Sequence, residues 1–270
     1  MNPYIELLRP NVCFLTALGL VVGAIVAGTA AMSPLFASAI IAAFLICGAG
    51  DAINDWFDRS IDKINAPHRP IPSGRVTSQS TLAYFIVLSV VGITLAWFVS
   101  TAFLAIAVFN WLVAAVYPWK AKKIPIVKNV FVAYLAASSF LAAGFISGLT
   151  IPPTLIFLVT ISFIVTLGRE IVKDIEDIKG DLKAGVKTLP TLIGEKPAKV
   201  IAYILLAIAC VALLLPLYFQ LFSFYYLAGA ISAIVVCAFS ATRNAHKAQK
   251  MLKVAMYLAI LGFMIGALVK

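Results

Sequence analysis

The chain has 270 residues, of which 63% are hydrophobic and 12% are charged, and its formal net charge is +10. This composition excludes a soluble globular domain, in which about a quarter of the residues are charged. Nine apolar segments approach the roughly 20 residues that a membrane-spanning helix needs. In chain order they lie at about 12–30, 34–56, 77–99, 101–119, 127–149, 152–169, 198–218, 222–240 and 251–269. We therefore expect an all-α, polytopic membrane protein with a single domain over residues 1–270.

The charged residues are concentrated in every second link between the predicted spans. The links at 30–34, 99–101, 149–152 and 218–222 contain no Lys, Arg, Asp or Glu. Of the 21 Lys and Arg residues, all except Lys270 lie on the other side, which the positive-inside rule makes cytoplasmic. We expect a cell-membrane protein with its N-terminus inside, its C-terminus outside and its active site facing the cytoplasm. The basic charge serves orientation and attraction to anionic head groups, so it does not call for nucleic acid.

Two runs of acidic residues share one spacing. They hold eight of the eleven Asp and Glu residues of the chain. The first acidic column comprises Asp51, Asp55, Asp58 and Asp62, and the second comprises Glu170, Asp174, Asp177 and Asp181. Steps of four, three and four residues place side chains on one helix face, so each run forms a column of carboxylates. Such columns repel themselves, and we expect bound metal ions to offset the repulsion.

The oxygen-only donors of the two columns favour Mg²⁺ over Zn²⁺, which prefers His or Cys. The first motif reads NDxxDxxxD from Asn54 to Asp62, and the second reads DxxDxxxD from Asp174 to Asp181. The predicted catalytic residues are Asn54, Asp55, Asp58, Asp62, Asp174, Asp177 and Asp181; all of these except Asp55 are predicted metal ligands. The alternative for either motif alone is a solvated helix face with ion pairs. Two matching columns on one side of a bundle argue against it.

Cationic side chains accompany both columns. The loop at 65–75 contains three prolines, which predict a stiff, extended segment that holds Arg69 and Arg75 over the membrane surface. Arginine is suited to bidentate phosphate contact. The further phosphate-binding candidates are Tyr117, Lys120, Lys122, Arg169 and Lys173. The alternative for these residues is that they anchor the helices at the membrane interface.

The four cysteines, at positions 13, 47, 210 and 237, all fall within predicted spans and form no CxxC pair. Buried cysteine usually acts as a small hydrophobic residue. We therefore expect no metal or redox role for them.

Taken together, the NDxxDxxxD motif, the NAPHRPIPSGR sequence at 65–75 and the DxxDxxxD motif resemble the UbiA superfamily of membrane prenyltransferases. The resemblance covers essentially the whole chain, and Arg9-Pro10 resembles the usual start of the family. The family commonly carries Lys four residues after the Tyr that follows helix four. Here that position, 121, is Ala between Lys120 and Lys122, so both lysines stay candidates.

The resemblance implies Mg²⁺-dependent transfer of an isoprenyl chain from a prenyl diphosphate to an acceptor. It also adds Arg9 to the cations that are compatible with two phosphorylated substrates. Within the family the chain looks most similar to archaeal ether-lipid enzymes, which add a second geranylgeranyl group to geranylgeranylglyceryl phosphate, a lipid-like phosphorylated acceptor. An aromatic-acid or naphthoate prenyltransferase of quinone biosynthesis stays open. A secondary transporter is disfavoured because the acids gather at one surface. The oligomeric state is not predicted.

Overall fold

A computed structural model describes residues 2–29, 34–119, 124–147, 151–183 and 185–269, and its regular elements there are all helical. The first six helices are α1 (Pro3–Leu8), α2 (Pro10–Ala27), α3 (Pro34–Asn65), α4 (Ser78–Val99), α5 (Thr101–Trp119) and α6 (Val127–Leu141). The remaining six are α7 (Pro153–Lys183), α8 (Leu189–Ile193), α9 (Glu195–Ala212), α10 (Leu215–Tyr218), α11 (Tyr226–Ser240) and α12 (Ala245–Leu268). A 3₁₀ turn at Ala142–Phe145 continues α6.

The expected all-helical, multi-pass architecture is confirmed. Eight helical segments within the described ranges are long and apolar enough to cross a membrane. The eighth predicted segment, 222–240, corresponds to α11, which has only 15 residues. At 1.5 Å per residue it is ~22 Å long, against a hydrocarbon core of ~30 Å. By its length, α11 falls short of a full span.

Both acidic columns lie on helices that continue well past their predicted ends. Helix α3 runs for 32 residues to Asn65 and α7 runs for 31 residues to Lys183, where we expected spans ending at 56 and 169. The reason is local: the three- and four-residue spacing continues the helical pattern, and no proline follows the first column until Pro67. Each column is thereby held rigidly on one helix.

The proline-containing segment after α3 is non-helical, as expected, but it is compact and not extended. Successive turns fold it back on itself: Ser73 N donates to Arg69 O at 3.0 Å, and Val76 N donates to Pro70 O at 3.1 Å. The side chain of Thr77 then caps α4 by accepting from Ser80 N at 3.0 Å. The prolines fix the turns and so hold Arg69 close to α3.

Helix α2 is the shared wall between two hydrophobic cores. Its Leu20 and Ala24 belong to a core formed with α3, α4 and α5. Its Val22 and Val26 belong to the other core, formed with α6, α7, α9, α11 and α12. Positions two residues apart point to nearly opposite sides of a helix, so one helix serves both halves. The two long acidic helices therefore flank α2.

Glycines allow close backbone contact between some of these helices. A Cβ atom at Gly229 would lie 2.5 Å from the Cα of Gly262, so α11 and α12 touch there through their backbones. A Cβ at Gly23 would likewise lie 2.5 Å from the carbonyl oxygen of Phe140. Small residues at such crossings are typical of helix packing in membranes, where backbone approach supplies van der Waals contact.

Candidate active site

The junction of α1 and α2 directs Arg9 at the first acidic column. Arg9 has a left-handed backbone, with φ 48°, and Pro10 begins the next helix directly after it. Its Nη1 donates to Asp51 Oδ1 at 3.3 Å, and its Nη2 donates to Asp55 Oδ1. Burial opposes the charge of Arg9, but Asp51 and Asp55 raise its pKa above the ordinary value. Arg9, which the family resemblance added to the candidate phosphate-binding cations, thus lies on the first acidic column.

Arg69 is the second cation of the first column. Its Nη1 donates to Asp62 Oδ2 at 2.6 Å and lies 3.7 Å from Asp55 Oδ1. The carboxylate of Asp55 is therefore ion-paired with both Arg9 and Arg69, and its side chain is only 6% exposed. The predicted catalytic residue Asp55 is thus held between two guanidinium groups.

Arg75 is not brought to either column. Its guanidinium forms a bidentate pair with Glu6 of α1, at 2.7 Å and 3.1 Å, and also donates to the backbone oxygen of His68 at 2.6 Å. The hydrogen bond from Arg75 lowers the pKa of Glu6 below its ordinary value. In this structure Arg75 ties the turn-rich loop to the N-terminal helix, and it does not face the acidic helices.

The second column has a cation of its own that the sequence analysis missed. Lys128 Nζ lies 2.7 Å from Asp174 Oδ1, and the side-chain amide of Asn129 donates to Asp174 Oδ2 at 2.9 Å. Both residues lie in the first turn of α6, which follows a left-handed Ile126. Asn129 is only 2% exposed. The sequence signal for this contact was the polar pair Lys128 and Asn129 at the start of an otherwise apolar segment.

The cations predicted for the second column pair with its first member. Arg169 Nη1 lies 2.7 Å from Glu170 Oε1, and Lys173 Nζ lies 3.9 Å from Glu170 Oε2. Glu176, between two members of the column in sequence, turns away to α12, where its Oε1 lies 2.5 Å from His246 Nδ1. Helix α7 therefore separates a column face from a face that packs on α12.

Tyr117, near the end of α5, links the two columns. It lies within electrostatic range of Glu170 and Asp174 of the second column and of Asp58 of the first. The columns thus converge on one polar region, which we call the mouth: the two acidic columns together with Arg9, Arg69, Tyr117, Lys128 and Asn129. The predicted Lys120 and Lys122 lie outside the described residues.

The donor set of the mouth fits divalent metal ions. Asn54 Oδ1 and Asp181 Oδ2 are buried oxygens without a hydrogen-bond partner, an arrangement that costs about 1–3 kcal/mol per group when nothing compensates. Asn54 Nδ2 donates to Asp58 Oδ2 at 3.3 Å, which aligns the amide with the carboxylate row. Hard oxygen donors of this kind are what Mg²⁺ takes in proteins. Of the other predicted ligands, Asp62 and Asp174 are ion-paired with Arg69 and Lys128.

Known proteins are similar to this chain over nearly its full length. The UbiA prenyltransferase family matches residues 14–265. The digeranylgeranylglyceryl phosphate synthase of Methanopyrus kandleri is 36% identical, over 99% of this chain and 100% of the relative. That of Thermococcus kodakarensis is 37% identical, over 99% and 98% respectively.

The chain is also similar to solved structures. A structure that gives mechanistic insight into digeranylgeranylglyceryl phosphate synthase in membranes superposes with a TM-score of 0.86 at 31% identity, covering 99% of this chain and 98% of the other. A UbiA homologue from Archaeoglobus fulgidus bound to GPP and Mg²⁺ has a TM-score of 0.73 at 18% identity, covering 97% and 99%, and supports the fold alone. The chain belongs to the UbiA prenyltransferase family.

Proposed function

We propose that this protein transfers a geranylgeranyl group from geranylgeranyl diphosphate to geranylgeranylglyceryl phosphate, which gives digeranylgeranylglyceryl phosphate. The observation that carries the proposal is the convergence of two acidic columns, each with its own cations, at one mouth of a membrane bundle. The full-length similarity to synthases of this name supports the acceptor. An anionic lipid substrate can reach such a mouth from the bilayer while its apolar chain stays among the helices.

The ion pairs of the mouth prepare it for phosphorylated substrates. Arg9, Arg69 and Lys128 are each held on a carboxylate, so they are oriented before a substrate arrives. A diphosphate offers several charged oxygens to these donors, and charge-assisted bonds to phosphate are the strong ones. These cations can therefore exchange a carboxylate for a phosphate oxygen and bind the head group without a large rearrangement of the site.

A divalent metal would be held by Asn54, Asp58, Asp177 and Asp181, with Mg²⁺ as the ion of choice for oxygen donors. When bound there, Mg²⁺ would offset part of the negative charge of the diphosphate and so make it a better leaving group. The rings of Tyr117 and Phe131, whose centroids lie 6.4 Å apart, stand beside the mouth. Their faces can stabilise the positive charge that develops on the departing C1 carbon.

The proposed membrane orientation places the mouth in the cytoplasm. Twenty of the 21 Lys and Arg residues fall in the N-terminal segment, in the alternate links or at the helix ends beside them. In this arrangement α11 is the eighth of nine crossings, with the turns before it completing the span. The C-terminus then lies outside the cell.

The direct test is product identification with a panel of acceptors. Purified protein is incubated with Mg²⁺, geranylgeranyl diphosphate and, in turn, geranylgeranylglyceryl phosphate, an aromatic acid or a naphthoate. We expect a product with the mass of digeranylgeranylglyceryl phosphate and none with the other two acceptors. Prenylation of the aromatic acid or the naphthoate alone would replace the ether-lipid proposal by the quinone-pathway alternative. No product with any acceptor would refute both.

A further inference from the structure

Cys13, Cys47 and Asp51 form a cluster at the base of the first acidic column. Cys13 lies in the first turn of α2, and Cys47 lies one turn before Asp51 on α3. One potential ligand atom from each residue, the two Sγ atoms and a carboxylate oxygen, lie within 4.8 Å of one another. The expectation that the cysteines act only as small hydrophobic residues does not account for this convergence.

The chemistry of the cluster differs from that of the mouth. Two thiolates and one carboxylate suit a borderline or soft cation of the Zn²⁺ type, whereas Mg²⁺ avoids sulfur ligands. Tetrahedral Zn²⁺ with Zn–S bonds of ~2.3 Å places two sulfurs about 3.8 Å apart. Atoms already within 4.8 Å of one another need to move by only about 1 Å to reach that geometry.

The side chain of Asp51 supplies an independent observation. Its Oδ1 accepts from Arg9 at 3.3 Å, but its Oδ2 is buried and has no hydrogen-bond partner. The sulfurs are positioned by the protein: Cys13 Sγ donates to Leu8 O at 3.0 Å, and Thr16 Oγ1 donates to Cys47 Sγ at 3.3 Å. A buried, unpartnered carboxylate oxygen beside two positioned thiols is a set of donors that a cation would satisfy.

We propose that Cys13, Cys47 and Asp51 form a second metal site, which takes a thiophilic divalent cation and is separate from the Mg²⁺ ligands. On binding, the two thiols release their protons to solvent and both sulfurs coordinate as thiolates. The bound cation would coordinate Oδ2 of Asp51 while Oδ1 still accepts from Arg9, so this carboxylate would be shared between the cation and the arginine.

Cadmium binding to the reduced, full-length protein tests the site without any enzymatic turnover. Cd²⁺ is titrated in the absence of Mg²⁺ and of substrates, and the thiolate-to-cadmium charge-transfer absorbance is recorded. The test variant is the double replacement Cys13→Ala with Cys47→Ala. The matched control is Cys210→Ala with Cys237→Ala, because these cysteines also neighbour each other but belong to no such group among the described residues.

We expect the charge-transfer absorbance of one thiolate-bound Cd²⁺ per chain in the unmodified protein and in the control pair, and no such absorbance in the test variant. Asp51→Asn is expected to weaken binding at least tenfold, and excess Mg²⁺ should not compete. Should the test variant fail to fold, the single change Cys47→Ala, at a half-buried position, gives the same comparison. No uptake by the unmodified reduced protein, or equal uptake by the test variant, would overturn the proposal. So would loss of uptake in the control pair.

Discussion

Lys128 Nζ lies 2.7 Å from Asp174 Oδ1, although the two residues belong to different helices, α6 and α7. The contact gives the second column a counter-charge, as Arg9 and Arg69 do for the first. Because Asn129 occupies the other oxygen of Asp174 at 2.9 Å, this carboxylate is engaged on both sides. In this structure Asp174 thus holds Lys128 in place.

Replacing Lys128 by Ala is therefore expected to weaken binding of the prenyl diphosphate. Loss of one charge-assisted contact is worth about 1.5–3 kcal/mol, on the order of a ten- to hundredfold change in affinity. Titration with a non-hydrolysable prenyl diphosphate analogue measures the effect. Lys199→Ala is the matched control, because Lys199 lies over the Tyr203 ring at 5.9 Å on α9. Equal affinities of the two variants would show that Lys128 does not contact the diphosphate.

The sequence predicted the acidic columns, the cation Arg69 and the helical class, because each of these depends on local spacing or composition. It did not predict Lys128 and Asn129, whose pairing with Asp174 depends on how α6 packs against α7. Nor did it predict the pairing of Arg75 with Glu6, since α1 and the loop are brought together only by folding.

Arg9 and Arg75 are expected to respond differently to replacement by Ala. Arg9 faces Asp51 and Asp55, so its loss leaves buried carboxylates unbalanced and lowers both diphosphate affinity and turnover. Arg75 pairs at the surface with Glu6, so its loss should leave the KM for the prenyl diphosphate within about twofold. Steady-state kinetics with each substrate varied in turn separates the two. A KM for Arg75→Ala that rises as steeply as that for Arg9→Ala would place Arg75 in the site after all.

The ion pair between Glu6 and Arg75 also predicts that stability depends on pH. The pKa of Glu6 is lowered in the folded protein by its hydrogen bond from Arg75, so the stabilisation is present above the usual carboxyl pKa and is lost as pH falls through the lowered value. Arg75→Ala should therefore lower the melting temperature slightly at neutral pH and leave it unchanged in strong acid. Thermal unfolding in detergent at both pH values measures this. A difference that persists at low pH would assign the effect to packing.

Two glycine-to-alanine changes should shift stability in opposite directions. A Cβ at Gly229 would lie 2.5 Å from the Cα of Gly262, so Gly229→Ala forces α11 and α12 apart. Such overpacking typically costs about 1–3 kcal/mol. At Gly180 no atom lies within 4 Å of the added Cβ, and the residue is inside α7, so alanine there is expected to stabilise by about 0.5–1 kcal/mol. Thermal unfolding of the two variants in one detergent decides the matter, and equal melting temperatures would contradict the close crossing.

The proposed orientation is tested by cysteine labelling from the two sides of the membrane. Ser73→Cys lies in the loop between α3 and α4, and Gln220→Cys lies in the exposed turn before α11. An impermeant maleimide should label the first only from the cytoplasmic side and the second only from outside. The unmodified chain, with its four native cysteines, sets the background. Labelling of both positions from one side would rule out nine crossings.

Metal dependence gives the sharpest test of the acidic columns, because α7 contains its own control. Asp181→Asn and Asp58→Asn each remove a carboxylate from the mouth, and we expect kcat/KM to fall on the order of a hundredfold or more with every acceptor. Glu176→Gln changes the same helix on the face that pairs with His246, so it should retain nearly full activity. Raising Mg²⁺ should partly restore Asp181→Asn by mass action, and excess chelator should abolish the activity of the unmodified protein. Full turnover in chelator, or equal losses in Glu176→Gln and Asp181→Asn, would remove the metal from the proposed mechanism.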